Sequence, residues 1–191
     1  MSLPPRILCV DVETTGLISE RHSILQIGAV WLTGEPGEFA LDCRAWDGAE
    51  LDPKALEING CSPERCFDHD YPSETDAVMT FARWTGLLLD AGPQPVMLAG
   101  MTPSYDRGFI HSALRRAGRR GLLFPHRVID LHTLAVQYAM SQCKPVPPRG
   151  YYTDEIYALL DLPAEPRPHV ALTGARRQAE ALHKLLYLGQ Q

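Results

Sequence analysis

From Arg6 to Glu13 the chain reads RILCVDVE, apolar almost without a break until two acids enter it. That pattern predicts a buried strand. Ser23–Leu32 and Glu38–Trp46 predict two more strands, with GEPG (34–37) as the turn between them. A turn of that composition between two strand patterns predicts a hairpin, so the first three strands form an antiparallel meander. Asp47–Tyr71 reads as irregular, with a short helix near Pro53–Ile58. Ser73 and Asp76 have capping spacing and open a long helix. Its inward face carries Val78, Phe81, Ala82, Leu88 and Leu89, and Gly92-Pro93 ends it. Pro95–Gly100 predicts a strand, Tyr105–Ala117 a helix, Arg127–Ile129 a short strand and Leu131–Met140 a helix. The prolines of Cys143–Gly150 exclude regular structure there. Thr153–Leu160 is a short helix. Pro163, Pro166 and Pro168 force a break before a closing helix over His169–Leu186. A meander followed by alternating helices and strands predicts an α/β fold, a mixed sheet with helices on its faces.

There is no internal repeat and no linker long enough to divide the chain, so residues 1–191 are expected to be one domain. Hydrophobic residues at 45% and charged residues at 21% exclude a disordered chain, a coiled coil and a collagen-like repeat. No apolar run approaches the roughly 18 residues of a membrane span, so no membrane partner is expected. The first acidic residue comes too early for a signal peptide. Five cysteines, an odd number without a CxxC pair, predict free thiols in a cytoplasmic protein. A net charge of −5 argues against a broad basic surface for duplex nucleic acid. A local basic groove stays open: Arg107, Arg115, Arg116, Arg119 and Arg120 are either a solvated helix end or a guide for a phosphate backbone.

The strongest chemical signal is Asp11 with Glu13. Residues two apart in a strand share a face, so two carboxylates are presented side by side from an otherwise apolar segment. A hard divalent cation with oxygen ligands would stabilise such a pair. Surface acids at a strand end, or partners for a nearby arginine, fit the spacing too.

The residues that follow change the weighting. Asp11-Val12-Glu13-Thr14-Thr15-Gly16-Leu17 resembles the first motif of the DEDDh 3′–5′ exonucleases, a family that includes the proofreading subunit of bacterial DNA polymerase III. Tyr105-Asp106 after PVMLAG resembles the second motif, and Pro168-His169-Val170-Ala171-Leu172 the start of the third. Leu25–Val30, Ala55–Pro63 and Arg127–Leu131 resemble intervening segments, so the likeness runs from about Arg6 to Leu186. It implies a ribonuclease-H-like fold with a five-stranded sheet of order 3-2-1-4-5. It further implies two divalent cations, Mg²⁺ or Mn²⁺, held by Asp11, Glu13 and Asp106, with His169 as general base. Thr14, Thr15, Gly16, Leu17, Asn59 and Tyr105 would meet the terminal nucleotide. The implied substrate is the 3′ end of single-stranded DNA or RNA, trimmed to nucleoside monophosphates.

Two positions depart from the family pattern. Met101-Thr102 stands where His-Asn is usual, and Gly174 stands where the third motif places its metal-binding Asp. The expectation is a site one carboxylate short, with weakened metal binding that Gly174→Asp restores. Gln178, one helical turn on, is a candidate neutral oxygen in its place. Gly174 also favours an alternative: a catalytically impaired relative retained to bind nucleic acid or a protein partner. A different doubly wound enzyme is disfavoured, because no glycine-rich phosphate loop follows the first strand.

Overall fold

The structure is a computed structural model describing residues 6–34, 37–87, 96–120 and 124–187. The strands are β1 (Arg6–Thr14), β2 (Ile24–Thr33), β3 (Glu38–Asp42), β4 (Val96–Gly100) and β5 (Val128–Asp130). The helices are α1 (Pro53–Asn59), α2 (Pro63–Cys66), α3 (Glu74–Trp84), α4 (Pro103–Arg116), α5 (Leu131–Ser141), α6 (Thr153–Leu159) and α7 (Ala171–Tyr187). The sheet order is β3-β2-β1-β4-β5, as the family resemblance implies. β2 runs antiparallel to β1 and β3, whereas β1, β4 and β5 are parallel.

β1 is the centre of the sheet and sorts its side chains by parity. Leu8, Val10 and Val12 enter a core shared with Phe81 of α3 and with Phe109 and Ile110 of α4. Ile7 and Cys9 face the other way, into a core with Leu131 of α5, Ile156 and Tyr157 of α6, and Leu182 of α7. Asp11 and Glu13 continue this second row. They stand on the α7 face of the sheet, where that core gives way to a cleft.

α7 lies close against β2 because Gly28 leaves room for it. A Cβ there would overlap the backbone of Ala171 and Leu172. The same junction is fixed by the N–H of Ala171, which donates to Gln26 Oε1 at 3.2 Å.

The β1–β2 connection is held by a buried acid. Glu74, 1% exposed, accepts from Ser23 Oγ and from the N–H of Ile24, each at 2.9 Å. Its carboxylate also takes both arms of Arg116, at 2.7 and 2.8 Å. A buried charge persists only with such partners. Arg116, itself part-exposed, is therefore tied to the fold by this pair.

The structure redraws some boundaries. α3 ends at Trp84, followed by Gly86 at φ +77°, well before Gly92. Leu88, Leu89, Gly92 and Pro93 lie outside the described residues, as do Glu35 and Pro36 of the expected hairpin turn. The segment between β3 and α3 holds two short helices, α1 and α2, each started by proline after a capping Asp52 or Ser62. The closing helix starts at Ala171, two residues later than expected. The five cysteines are free.

Candidate active site

The cleft forms where β1 outruns its neighbour. β4 pairs with β1 only from Arg6 to Cys9, so the later residues of β1 lack a strand on that side. The N–H of Val12 instead donates to Asp106 Oδ1 at 3.0 Å. This bond draws the first turn of α4 against β1 and sets the Asp106 carboxylate beside Asp11. On the α7 side, Gln178 Nε2 donates to Asp11 Oδ1 at 3.0 Å. Its Oε1 accepts from the N–H of Met101 at 2.8 Å. The amide thus bridges β1, β4 and α7. Gln178, weighed from sequence as a neutral oxygen for the site, has that oxygen engaged by the N–H of Met101.

The resulting cleft has a volume of about 360 Å³ and is lined by Asp11, Glu13, Asp106 and His169 together, with Glu165 among them. Glu165 has no counterpart in the sequence expectations. It sits in the proline-rich connection between α6 and α7, where its N–H donates to Asp154 Oδ1 at 3.4 Å. The donor atoms of Glu13, Glu165 and His169 all lie within 4.8 Å of one another. Glu165 Oε1 is buried and has no hydrogen-bond partner. Gly174 faces the same point: a Cβ there would overlap the Asp11 carboxylate and would lie 3.1 Å from Glu165 Oε1.

Crowded acids resist ionisation. Burial, the Glu165 charge and an opposing bond from Gln178 leave the Asp11 pKa at about 7. Burial, Asp11 and Glu165 push Glu13 up to about 8. Asp106 is raised well above the usual carboxylate range, first by burial and then by Asp11. Glu165 is raised by burial, against the pull of His169. Such a concentration of carboxylates with raised pKa in one cleft makes it the candidate functional site. The hard oxygen donors, with one imidazole and one oxygen lacking any donor, suit a divalent cation such as Mg²⁺ or Mn²⁺.

The residues expected to meet a nucleotide divide into two groups. Thr14, Leu17, Asn59 and Tyr105 line the cleft. Thr14 Oγ1 donates to the Gly16 carbonyl at 2.7 Å, and the Tyr105 hydroxyl lies 2.9 Å from Thr14 Oγ1. Asn59 Nδ2 donates to the Thr14 carbonyl at 3.1 Å, tying α1 to the end of β1. Leu17 is 73% exposed, a large apolar side chain standing free at the lip. Thr15 and Gly16 lie beneath this surface. Thr15 is fully buried, and its hydroxyl donates to the Glu50 carbonyl at 2.7 Å. Gly16 rests on the His22 ring, which a Cβ would strike. These two shape the turn instead of lining the cleft.

The arginine group is dispersed by its partners. Arg116 is held by Glu74, Arg115 donates to Ser112 Oγ at 2.7 Å, and Arg107 donates to the Phe124 carbonyl at 3.2 Å. Arg119 and Arg120 are exposed.

Comparison with known proteins agrees with this geometry. The exonuclease family RNase_T matches residues 8–182. Ribonuclease T of Marinobacter nauticus is 29% identical over 136 residues, covering 66% of this chain and 61% of that protein. Among solved structures, exonuclease I of Methylocaldum szegediense superposes with a TM-score of 0.71 at 18% identity, over 98% of this chain and 41% of that one. E. coli exonuclease I in complex with a dA16 oligonucleotide gives 0.70 at 17%, over 97% and 41%. The cell-death related nuclease CRN-4 gives 0.72 at 16%, over 96% and 64%. The chain thus spans between two fifths and two thirds of the length of these relatives.

Proposed function

The chain belongs to the DEDDh-type 3′–5′ exonuclease family, and from that premise we propose that it is a metal-dependent 3′–5′ exonuclease acting on single-stranded nucleic acid. The observation that carries this is the convergence of Asp11, Glu13 and Asp106 in one cleft with His169. Asp11, Glu13 and Asp106 would hold two divalent cations. Such ions would supply charge neutralisation at the phosphate and a more acidic water for in-line hydrolysis.

The remaining work falls to the chain itself. His169 accepts the proton of the attacking water on an imidazole nitrogen, a base positioned beside the carboxylates rather than on the strand that bears them. Thr14, held by Tyr105 and Asn59, gives the terminal nucleotide a rigid floor. Leu17 lies free to pack against the terminal base. The net charge of −5 argues against a broad basic cradle for a duplex, which favours a single unpaired end. The oligonucleotide bound in the E. coli exonuclease I structure supports the same substrate class. Gly174 is the one feature that favours the second reading, an impaired relative that binds without cutting.

The test is digestion of 3′-labelled and 5′-labelled single strands in Mg²⁺, Mn²⁺ or EDTA, for the parent chain and for Asp11→Asn. Metal-dependent release of labelled nucleoside monophosphate from the 3′ end, lost in Asp11→Asn, is expected. Equal release in EDTA, or from Asp11→Asn, would overturn the reading. Retained strand binding with no cleavage in any metal would favour the impaired relative.

A further inference from the structure

Three observations meet at one point beneath α7. The family's third motif calls for a carboxylate at position 174, and the chain has glycine there. The position nonetheless faces the site, because a Cβ built on it would run into the Asp11 carboxylate. The volume next to it is occupied by another carboxylate, Glu165, whose Oε1 would lie 3.1 Å from that Cβ.

We propose that Glu165 supplies the fourth acidic metal ligand, taking from the α6–α7 connection the role that the family places on α7. The inference rests on the exonuclease reading above. Glu165 Oε1 is buried without a hydrogen-bond donor among the described residues, which leaves that oxygen open to a cation. It shares a ligand-sized volume with Glu13 and His169. Its backbone is fixed by Asp154 at the start of α6. A glutamate reaching in from a loop spans more distance than an aspartate on the helix. That extra reach lets α7 keep its close approach to β1 with only a hydrogen at 174. The substitution preserves the site's negative charge, so Gly174 and Glu165 are one exchange rather than a loss.

This changes the expected effect of Gly174→Asp. Alone, it forces a further carboxylate between Asp11 and Glu165. Metal affinity should not improve, and the metal-free protein should melt lower. The decisive set is the parent, Glu165→Gln, Gly174→Asp, the double variant and Asp11→Asn. Mn²⁺ binding is titrated by calorimetry, with bound ions counted by electron paramagnetic resonance, all without substrate. Glu165→Gln should weaken Mn²⁺ binding by roughly tenfold or more, and its metal-free melting temperature should equal or exceed the parent's. The double variant should recover affinity to within a few-fold of the parent, restoring the charge from a different backbone position. A role confined to shaping the loop would not give that rescue. Unchanged Mn²⁺ affinity in Glu165→Gln overturns the proposal, and so does a loss that Gly174→Asp fails to repair. If Asp11→Asn also binds Mn²⁺ like the parent, the metal site itself is refuted, and the exonuclease reading goes with it. If only Asp11→Asn loses the metal, that reading stands and the assignment of Glu165 alone falls.

Discussion

Asp11→Asn should stabilise the metal-free protein while abolishing its response to metal. The Asp11 carboxyl sits at about 7, against an ordinary value of 3.8. The folded state therefore holds this proton more tightly than the unfolded chain. Between about pH 4 and pH 7 the unfolded chain has released it and the folded one has not. Stability thus falls as pH rises through this window and stays reduced above it. Taken at face value the difference is about 4 kcal/mol. Asp11 keeps part of its surface open to the cleft, and solvent screening reduces the working figure to about 1–3 kcal/mol. Asparagine removes the charge but keeps an oxygen for the Gln178 amide to donate to. In EDTA, the variant should match the parent near pH 4 and melt roughly 2–12 °C higher at pH 8, at about 2–4 °C per kcal/mol for this size. With saturating Mn²⁺ the order should reverse, because the parent gains about 4.1 kcal/mol at a thousandfold excess over Kd and the variant does not. Thermal unfolding across pH 4–9, with and without Mn²⁺, reads all of this. Parallel pH profiles for the two proteins in EDTA would refute the claim that Asp11 is held in a crowded acidic site.

Other consequences reach different parts of the molecule. Glu74→Gln strips the buried partner from Arg116, and should lower unfolding free energy by about 3–5 kcal/mol in a urea titration. Tyr105→Phe removes the hydroxyl beside Thr14 and Gly16, which should cost about 1 kcal/mol of stability and raise KM for a short oligonucleotide. Leu17→Ala should leave stability within about 0.5 kcal/mol, since the side chain is exposed, yet slow digestion if it packs on the terminal base. Arg119→Glu with Arg120→Glu should weaken strand binding at low salt and matter little at high salt, whereas unchanged low-salt affinity in a filter-binding assay would return them to a solvated helix end.

Much of the site could be read from local sequence, because its ingredients obey local rules. The alternation of β1 puts Asp11 and Glu13 on one face whatever surrounds them, and DVETTGL and PHVAL carry a family likeness that implies both the strand order, which the sheet has, and the composition of the proposed site. Local rules failed where the deciding partner was distant in the chain. Arg116 read as part of a basic cluster until Glu74, 42 residues away, claimed it. Gln178 could be weighed only as a remote candidate for a spare oxygen until the Met101 N–H was seen to occupy it. Thr15 read as a residue that meets the terminal nucleotide, but the Glu50 carbonyl draws its hydroxyl inward. Glu165 had no local signal at all, since a lone acid in a proline-rich connection has neither periodicity nor motif. Sequence alone determined that carboxylates would gather at the end of β1 and that one position on α7 would be bare. Only the tertiary structure decided which side chain fills that space, because a carboxylate's neighbours are set by how the connection from α6 packs across β1, not by the residues beside it in the chain.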